Sequence, residues 1–230
     1  MTYHGDTIMF SFFKTIIKLL SLSSLLILSA CNGIVNIGDP KEAVGYEPVY
    51  SGFPLPYLFT ASLVQWNEDY AVSAQHTPFL DNVEYRCSTG CDLVFIKHKA
   101  TGVIPKWRYS IINEKISAYG NTSFYVTAKT DGVVLKTRFI QESSNNNKTI
   151  KEYYKITSNS TAKGMSGGPV YASDGQVVGI TLGFVNKTLM SDSQMNWAPE
   201  IKQYPQLSYM LQTEIIDREW KKFQKNKNKI

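Results

Sequence analysis

Between Tyr57 and Phe184 the apolar residues fall in short runs broken by polar turns, and nowhere do they keep helical spacing. The runs Leu58–Trp66, Tyr70–Ala74, Leu93–Lys97, Ser123–Ala128, Gly132–Gln141, Lys151–Ile156, Pro169–Ala172 and Gln176–Leu182 are rich in Val, Ile, Tyr, Phe and Thr. Such residues suit a pleated, half-buried surface, so each run is predicted as a strand. Asp174-Gly175 between the last two predicts a hairpin, because that pair favours the turn that matches strand twist. The polar stretch 143–147 predicts a second hairpin loop. After Pro205 the pattern changes: Leu207, Met210, Leu211, Ile215 and Trp220 fit one face of an amphipathic helix over 206–223. The fold class predicted is all-β with a C-terminal helix, and no internal repeat is present.

The first 38 residues do not fit that pattern. Lys14 and Lys18 precede an apolar run, Leu19 to Leu28, that stops at Leu28-Ser29-Ala30-Cys31. A cationic head, an apolar middle and small residues before a cut make a secretory signal. The uncharged stretch from Leu19 to Gly38 is interrupted by Ser, Asn and Gly, which is patchy for a span of about 20 apolar residues. Leu-Ser-Ala-Cys resembles the bacterial lipobox, which implies a diacylated Cys31 as the new N-terminus. The predicted division is a leader over 1–30, a lipidated cysteine and tether over 31–48, and one domain over 49–230. Removing 1–30 leaves 200 residues, enough for one good core, and takes Lys14, Lys18 and Asp6 with it, so the net charge of +5 becomes +4. That surplus is modest and concentrated in the tail Lys221 to Lys229, and no basic patch interleaved with aromatics points to nucleic acid. Export also fits the remaining cysteines. Cys87 and Cys91 lie close together across a Gly-containing turn and are expected to form a disulfide in an oxidising compartment. A zinc site from Cys87, Cys91 and His98 or His76 is the rival, but the spacing matches no zinc pattern. No metal and no cofactor are expected.

The chemistry centres on Gly164-Met165-Ser166-Gly167-Gly168-Pro169. A serine among small, turn-forming residues can expose its hydroxyl while nearby backbone N–H groups face one point, as acyl transfer requires. The hairpin pattern behind it argues against the strand–serine–helix elbow of other hydrolases. A serine needs a base, and the base needs an orienting group. Of the three histidines, His4 lies in the leader and His98 reads as a solvated surface residue beside Lys97 and Lys99. His76 ends the strand from Tyr70, just before Thr77-Pro78, and Asp92 opens an apolar strand sixteen residues later. Asp81 competes for the orienting role, but no apolar strand follows it.

In the order His76, Asp92, Ser166, with a small-residue strand before the histidine and Val178-Gly179-Ile180 behind the serine, the chain resembles the chymotrypsin-like (trypsin-like) serine peptidases. The resemblance implies two antiparallel Greek-key β-barrels with the site in the cleft, a crossing near 100–115, and a C-terminal helix on the second barrel. It implies His76 as general base and acid, Asp92 as its orienter, Ser166 as nucleophile, and the N–H groups of Gly164 and Ser166 as oxyanion hole. Ser160, Thr161, Thr181 and Gly183 would meet the substrate. Met165 stands where zymogen-type relatives have an Asp, so activation by N-terminal cleavage is not expected. Ser160, six residues before the nucleophile, stands where trypsin-like relatives have an acid, so cleavage after Arg or Lys is not favoured. Thr161 resembles the threonine of Glu- or Gln-selective relatives, though their partner histidine is missing from Thr181–Phe184. The function implied is a membrane-anchored serine endopeptidase of the bacterial cell envelope, with its domain in the periplasm or outside the cell. Its partners would be a peptide or protein substrate and a membrane reached through the lipid. The alternative is a catalytically weak protease-fold lipoprotein acting as a binding module, or an esterase using the same residues.

Overall fold

Two antiparallel sheets, joined by residues 98–114, carry the site between them. The computed structural model describes residues 33–145, 148–187, 190 and 198–228. The predicted leader, Cys31, Asn146 and Asn147 lie outside the described residues. In chain order the strands are β1 (Asn36–Ile37), β2 (Tyr46–Ser51), β3 (Phe59–Gln65), β4 (Tyr70–Ser73), β5 (Val83–Arg86) and β6 (Val94–Lys97). Then come β7 (Lys115–Asn121), β8 (Thr127–Asn145), β9 (Lys148–Thr157), β10 (Pro169–Ala172), β11 (Val177–Phe184), a short helix α1 (Pro199–Gln203), β12 (Ser208–Gln212) and the helix α2 (Thr213–Lys227). The first sheet runs β2-β3-β4-β6-β5. The second closes on itself, because the long β8 pairs with β7 at one end and with β9 at the other. Strands β7, β8 and β9 are neighbours in sequence order and β10 returns beside β7, the Greek-key arrangement.

Where strands escaped or misled the sequence pattern, packing gives the reason. β2 carries Pro48 and lies at the edge of its sheet, where a missing N–H costs least. β5 is four residues of alternating exposure at the other edge. β7 includes Ala118 and Gly120, weak strand formers, because the backbone of Met165 passes so close that a Cβ on Gly120 would lie 2.6 Å from its Cα. The strand predicted over 123–128 is instead a turn up to Val126, with Tyr125 at φ 61, and β8 starts at Thr127. The predicted helix over 206–223 begins only at Thr213. Met210 and Leu211 are adjacent yet both buried, because β12 is an interior strand of a closed barrel with β11 on one edge and β9 on the other. The stretch expected to be a tether is docked: β1 pairs with Lys129 and Ala128 of β8, and Ala43 is in the core.

The C-terminal helix runs against β11 and β12 of the second sheet, as expected, and reaches the first sheet as well. Its aromatic face lies on the first sheet: Trp220 meets Tyr70 and Phe95 at 5.1 Å with its ring tilted to both, and Phe223 stacks on Phe95 at 5.9 Å. Trp66 and Trp107 meet edge to face at 4.9 Å and bring the crossing segment into the same cluster. Glu214 in the first turn and Lys225 and Lys227 in the last complement the helix dipole. Ile215, Ile216, Glu219 and Phe223 form the buried stripe. Glu219 is 0 % exposed and accepts from Tyr85 Oη at 2.8 Å, Ser88 Oγ at 3.1 Å, Arg218 Nε at 2.9 Å and Lys222 Nζ at 2.7 Å. Burial pushes its pKa up, but Lys222, Tyr85 and Arg218 outweigh that and hold it down at about 2. A lowered carboxylate pKa adds stability that is full above the ordinary value of 4.5 and is lost as pH falls toward about 2. Glu219→Ala leaves a cavity at a fully buried position and takes the shared acceptor from Tyr85, Ser88, Arg218 and Lys222, so it should lower the urea unfolding free energy by about 3 kcal/mol near neutral pH, the difference shrinking in acid.

Candidate active site

Each of the three predicted residues sits just outside one end of a mostly buried strand: His76 after β4, Asp92 before β6 and Ser166 before β10. β4 is buried throughout, and the chain leaves it at Ala74 and turns at Gln75 to expose His76. The disulfide Cys87–Cys91, with Cα atoms 5.4 Å apart, closes the loop directly before Asp92. Thr89 of that loop donates to Glu152 Oε1 at 2.5 Å, and Arg218 Nη2 reaches the same oxygen at 2.8 Å, so α2 and β9 brace it. Cys87 and Cys91 are therefore engaged with each other. Glu219 lies beside them, but among the described residues no site pairs them with His76 or His98.

Ser166 lies in a turn knotted to both sheets. Ser62 N–H donates to Ser166 O at 2.9 Å, while Gly167 N–H to Thr181 O and Thr181 N–H to Gly168 O, each 2.8 Å, tie the turn to β11. Gly167 has φ +84, and a Cβ there would lie 2.2 Å from Ser62 O, so only glycine fits.

The side chains meet in one line. Asp92 Oδ2 is 2.5 Å from His76 Nδ1, and its Oδ1 accepts the His76 backbone N–H at 2.8 Å. His76 Nε2 is 2.9 Å from Ser166 Oγ. The short spacing between His76 and Asp92 does not misplace the ring, because one carboxylate grips both ring and backbone of the same residue. Asp81 is exposed and takes no part. The hydrogen bond from Asp92 raises the pKa of His76 above 6.5; burial opposes it, and the charge of Asp92 adds to it. His98 is not the solvated residue predicted: its Nδ1 lies 3.0 Å from Gln65 Oε1 and its Nε2 3.3 Å from Glu47 Oε2.

The two N–H groups expected at the oxyanion hole are held by the opposite ends of their peptides. Lys163 O accepts Ser123 N–H at 3.0 Å and Ser123 Oγ at 3.2 Å, so the trans Gly164 N–H points the other way. Met165 O accepts Gly168 N–H at 3.0 Å, which does the same for Ser166 N–H. Among the described residues neither N–H has a hydrogen-bond acceptor. Met165 is fully buried and its Sδ accepts Ala162 N–H at 3.3 Å, so packing holds this turn where no ion pair is available.

The four residues expected to meet substrate separate into two groups. Thr161 is 2 % exposed with its hydroxyl on Ser208 Oγ, and the Thr181 side chain is equally buried. Ser160 is half-buried, and the backbone of Gly33 lies against its Oγ. Gly183 is half-buried against the Tyr209 ring, and Phe184 is exposed. β10 ends opposite Ile180, so from Leu182 onward β11 keeps β12 on one edge and has the other free beside Ser166. Sequence reasoning missed three supports. Tyr154 Oη accepts the Asp92 N–H at 3.2 Å, Ser62 Oγ donates to Gly164 O at 3.2 Å, and Leu182 O accepts from Ser166 Oγ at 3.2 Å. Strand alternation separates inward Tyr154 from outward Tyr153, but nothing in sequence links it to Asp92.

No family model and no curated protein matches the sequence. Solved structures do match its shape. The inactive form of the Rv3671c protease of M. tuberculosis aligns at TM-score 0.55 and 10% identity, over 77% of this chain and 87% of that one. A serine endoprotease from Yersinia pestis aligns at 0.54 and 17% identity, over 81% of this chain and 66% of that one. The MamO protease domain from Magnetospirillum magneticum aligns at 0.50 and 13% identity, over 75% and 93%. All carry the trypsin-like serine protease architecture, and the two-barrel topology found here is that fold.

Proposed function

We propose that this protein is a serine endopeptidase, and the observation that carries the proposal is the continuous Asp92–His76–Ser166 line. The Ser166 hydroxyl turns from Leu182 O to His76 Nε2, gives up its proton there and attacks the peptide carbonyl. Asp92 keeps the ring in the tautomer with Nδ1–H and stabilises the imidazolium that forms. The oxyanion lodges at the N–H groups of Gly164 and Ser166. The Nε2 proton then passes to the departing amine, and a water activated by the same nitrogen releases the acid. The acyl part of the substrate adds a strand to the open edge of β11 at 182–184, where backbone pairing holds any sequence. Met165 packs where an ion pair would otherwise form, so the site is competent once folded, without N-terminal cleavage. The signal and lipobox pattern favour a lipid anchor at Cys31 and a place in the bacterial cell envelope.

The test is digestion of a mixed peptide library, read by mass spectrometry, with p-nitrophenyl acetate hydrolysis measured beside it. An endopeptidase cleaves internal peptide bonds. Ester hydrolysis with an untouched library would make the protein an esterase.

A further inference from the structure

Three neighbouring segments expose apolar side chains that neither the core nor the triad uses. The first is the loop 52–58 between β2 and β3, Gly-Phe-Pro-Leu-Pro-Tyr-Leu, in which Phe53 is 79% and Leu55 63% exposed and Tyr57 and Leu58 are exposed as well. The second is the turn before β8, where Phe124, Tyr125 and Val126 face water. The third surrounds β1, where Ile34 and Ile37 are 87% and 85% exposed. Contacts join the three. Tyr125 Oη donates to Tyr57 O at 2.7 Å, and the Tyr50 ring lies 5.6 Å from that of Tyr57 and 5.7 Å from that of Tyr125. Gly38 N–H donates to Thr127 O at 2.9 Å and Ile37 pairs with Ala128, so β1 runs beside the strand that leaves the turn. Single apolar residues are ordinary on a surface, but a contiguous group marks a contact. No charged residue stands from Pro48 to Asn67 or from Ile116 to Ala128.

We propose that these segments dip into the surface of a lipid bilayer, with Phe53, Leu55 and Phe124 below the headgroups and the tyrosine hydroxyls at their level. Unpaired backbone donors are costly in hydrocarbon, and these loops present few. Pro54 and Pro56 have no N–H, and Leu58 N–H is used on Leu55 O at 3.3 Å. Tyr125 N–H is used on Thr122 O and Thr122 N–H on Val126 O, each at 2.9 Å. A side chain on Gly52, at φ +145, would run into Leu55 O, so glycine lets the loop fold back on itself. Tyrosine rings, apolar with one polar tip, suit the boundary between lipid and water. The patch is made of loop tips and not of a groove, so a yielding apolar phase fits it better than a shaped protein partner. The lipid anchor proposed at Cys31, three residues before Ile34, supplies the bilayer, and the inference rests on that reading for the source of the membrane. Ser123 of the second segment holds Lys163 O, beside Gly164, so the nucleophile turn is carried toward the headgroups.

A polarity-sensitive fluorophore on the full chain tests this. A nitrobenzoxadiazole label is placed at Leu55→Cys, or as a control at Gly102→Cys, and the chain without an added cysteine supplies the background. Gly102 has open space around it and follows the stretch bonded to Glu68 and Asp69, beyond the opposite end of β3. With phosphatidylcholine vesicles the label at 55 should shift to the blue and lose most of its emission when the lipid chains carry nitroxides. The label at 102 should do neither. Phe53→Ser combined with Phe124→Ser should return the label at 55 to its aqueous emission, with the urea midpoint nearly unchanged because both side chains are exposed. A label at 55 that stays in water on vesicle-bound protein would overturn the inference and leave the anchor standing. A blue shift already complete without vesicles would mean that protein covers the loop, a second copy if it fades on dilution, and would overturn it. Quenching at both positions would mean that the chain lies on lipid without this orientation, and would overturn it too. Failure to bind vesicles would also overturn it, while the intact mass shows separately whether Cys31 is acylated.

Discussion

Ser166→Ala is expected to abolish turnover, by about a millionfold, while leaving the unfolding midpoint nearly unchanged. The two effects separate because of what Oγ touches. Its partners are His76 Nε2 and Leu182 O, and the side chain is only half-buried, so its loss opens no core cavity. The turn itself is held by backbone bonds from Ser62 to Ser166 and between Gly167, Gly168 and Thr181, all of which survive the change. Residual activity would come from the proposed oxyanion donors, the backbone N–H groups at positions 164 and 166, which the change leaves in place. Activity near the wild-type level would place the chemistry elsewhere in the chain.

Asp92→Asn should cost roughly ten-thousandfold in kcat near neutral pH and also move the pH profile. The carboxylate takes two donors from His76, ring and backbone, and an amide cannot accept both in the same way. In the wild type the Asp92 hydrogen bond raises the His76 pKa above 6.5. The general base must be neutral, so kcat/KM should rise with pH through a midpoint above 6.5 and level off beyond it. Removing the carboxylate removes the largest cause of that rise, so the midpoint should fall in Asp92→Asn. The stability linkage runs the other way. A histidine whose folded pKa is raised adds stability that is complete below its unfolded value and lost as pH climbs through the folded one. The wild-type protein therefore loses this contribution over the pH range in which the base becomes active. A midpoint that does not move in the variant would mean that Asp92 does not set the charge on His76.

Local chemistry was the most legible part of the sequence. The nucleophile turn is spelled by glycines that must be glycines, since Gly164 at φ +98 and Gly167 at φ +84 press against Thr60 and Ser62. The Asp174-Gly175 turn gave the hairpin of β10 and β11, with Gly175 at φ +76. Non-local packing was less legible. Leu207, Met210, Leu211 and Ile215 keep near-helical spacing, yet the first three serve a barrel that closes only when β9 and β11, far off in sequence, come together. β7 has little strand propensity of its own and forms because β8 and β10 pair on its two edges. The contact of α2 with the first sheet depends on Trp220 and Phe223 finding Tyr70 and Phe95, which no local pattern specifies. Among the site's supports, Tyr154 and Ser62 belong to other strands and reach Asp92 and Gly164 only in the folded chain.

Mass spectrometry of the purified protein after exposure to a fluorophosphonate probe tests the triad most directly. Such a probe reacts with a serine only when a neighbouring base activates it. The wild type should carry a single adduct on Ser166, and Ser166→Ala and His76→Ala should carry none. A folded, disulfide-bonded wild type that takes no adduct would contradict an activated serine and leave the protein a binding module on a protease fold.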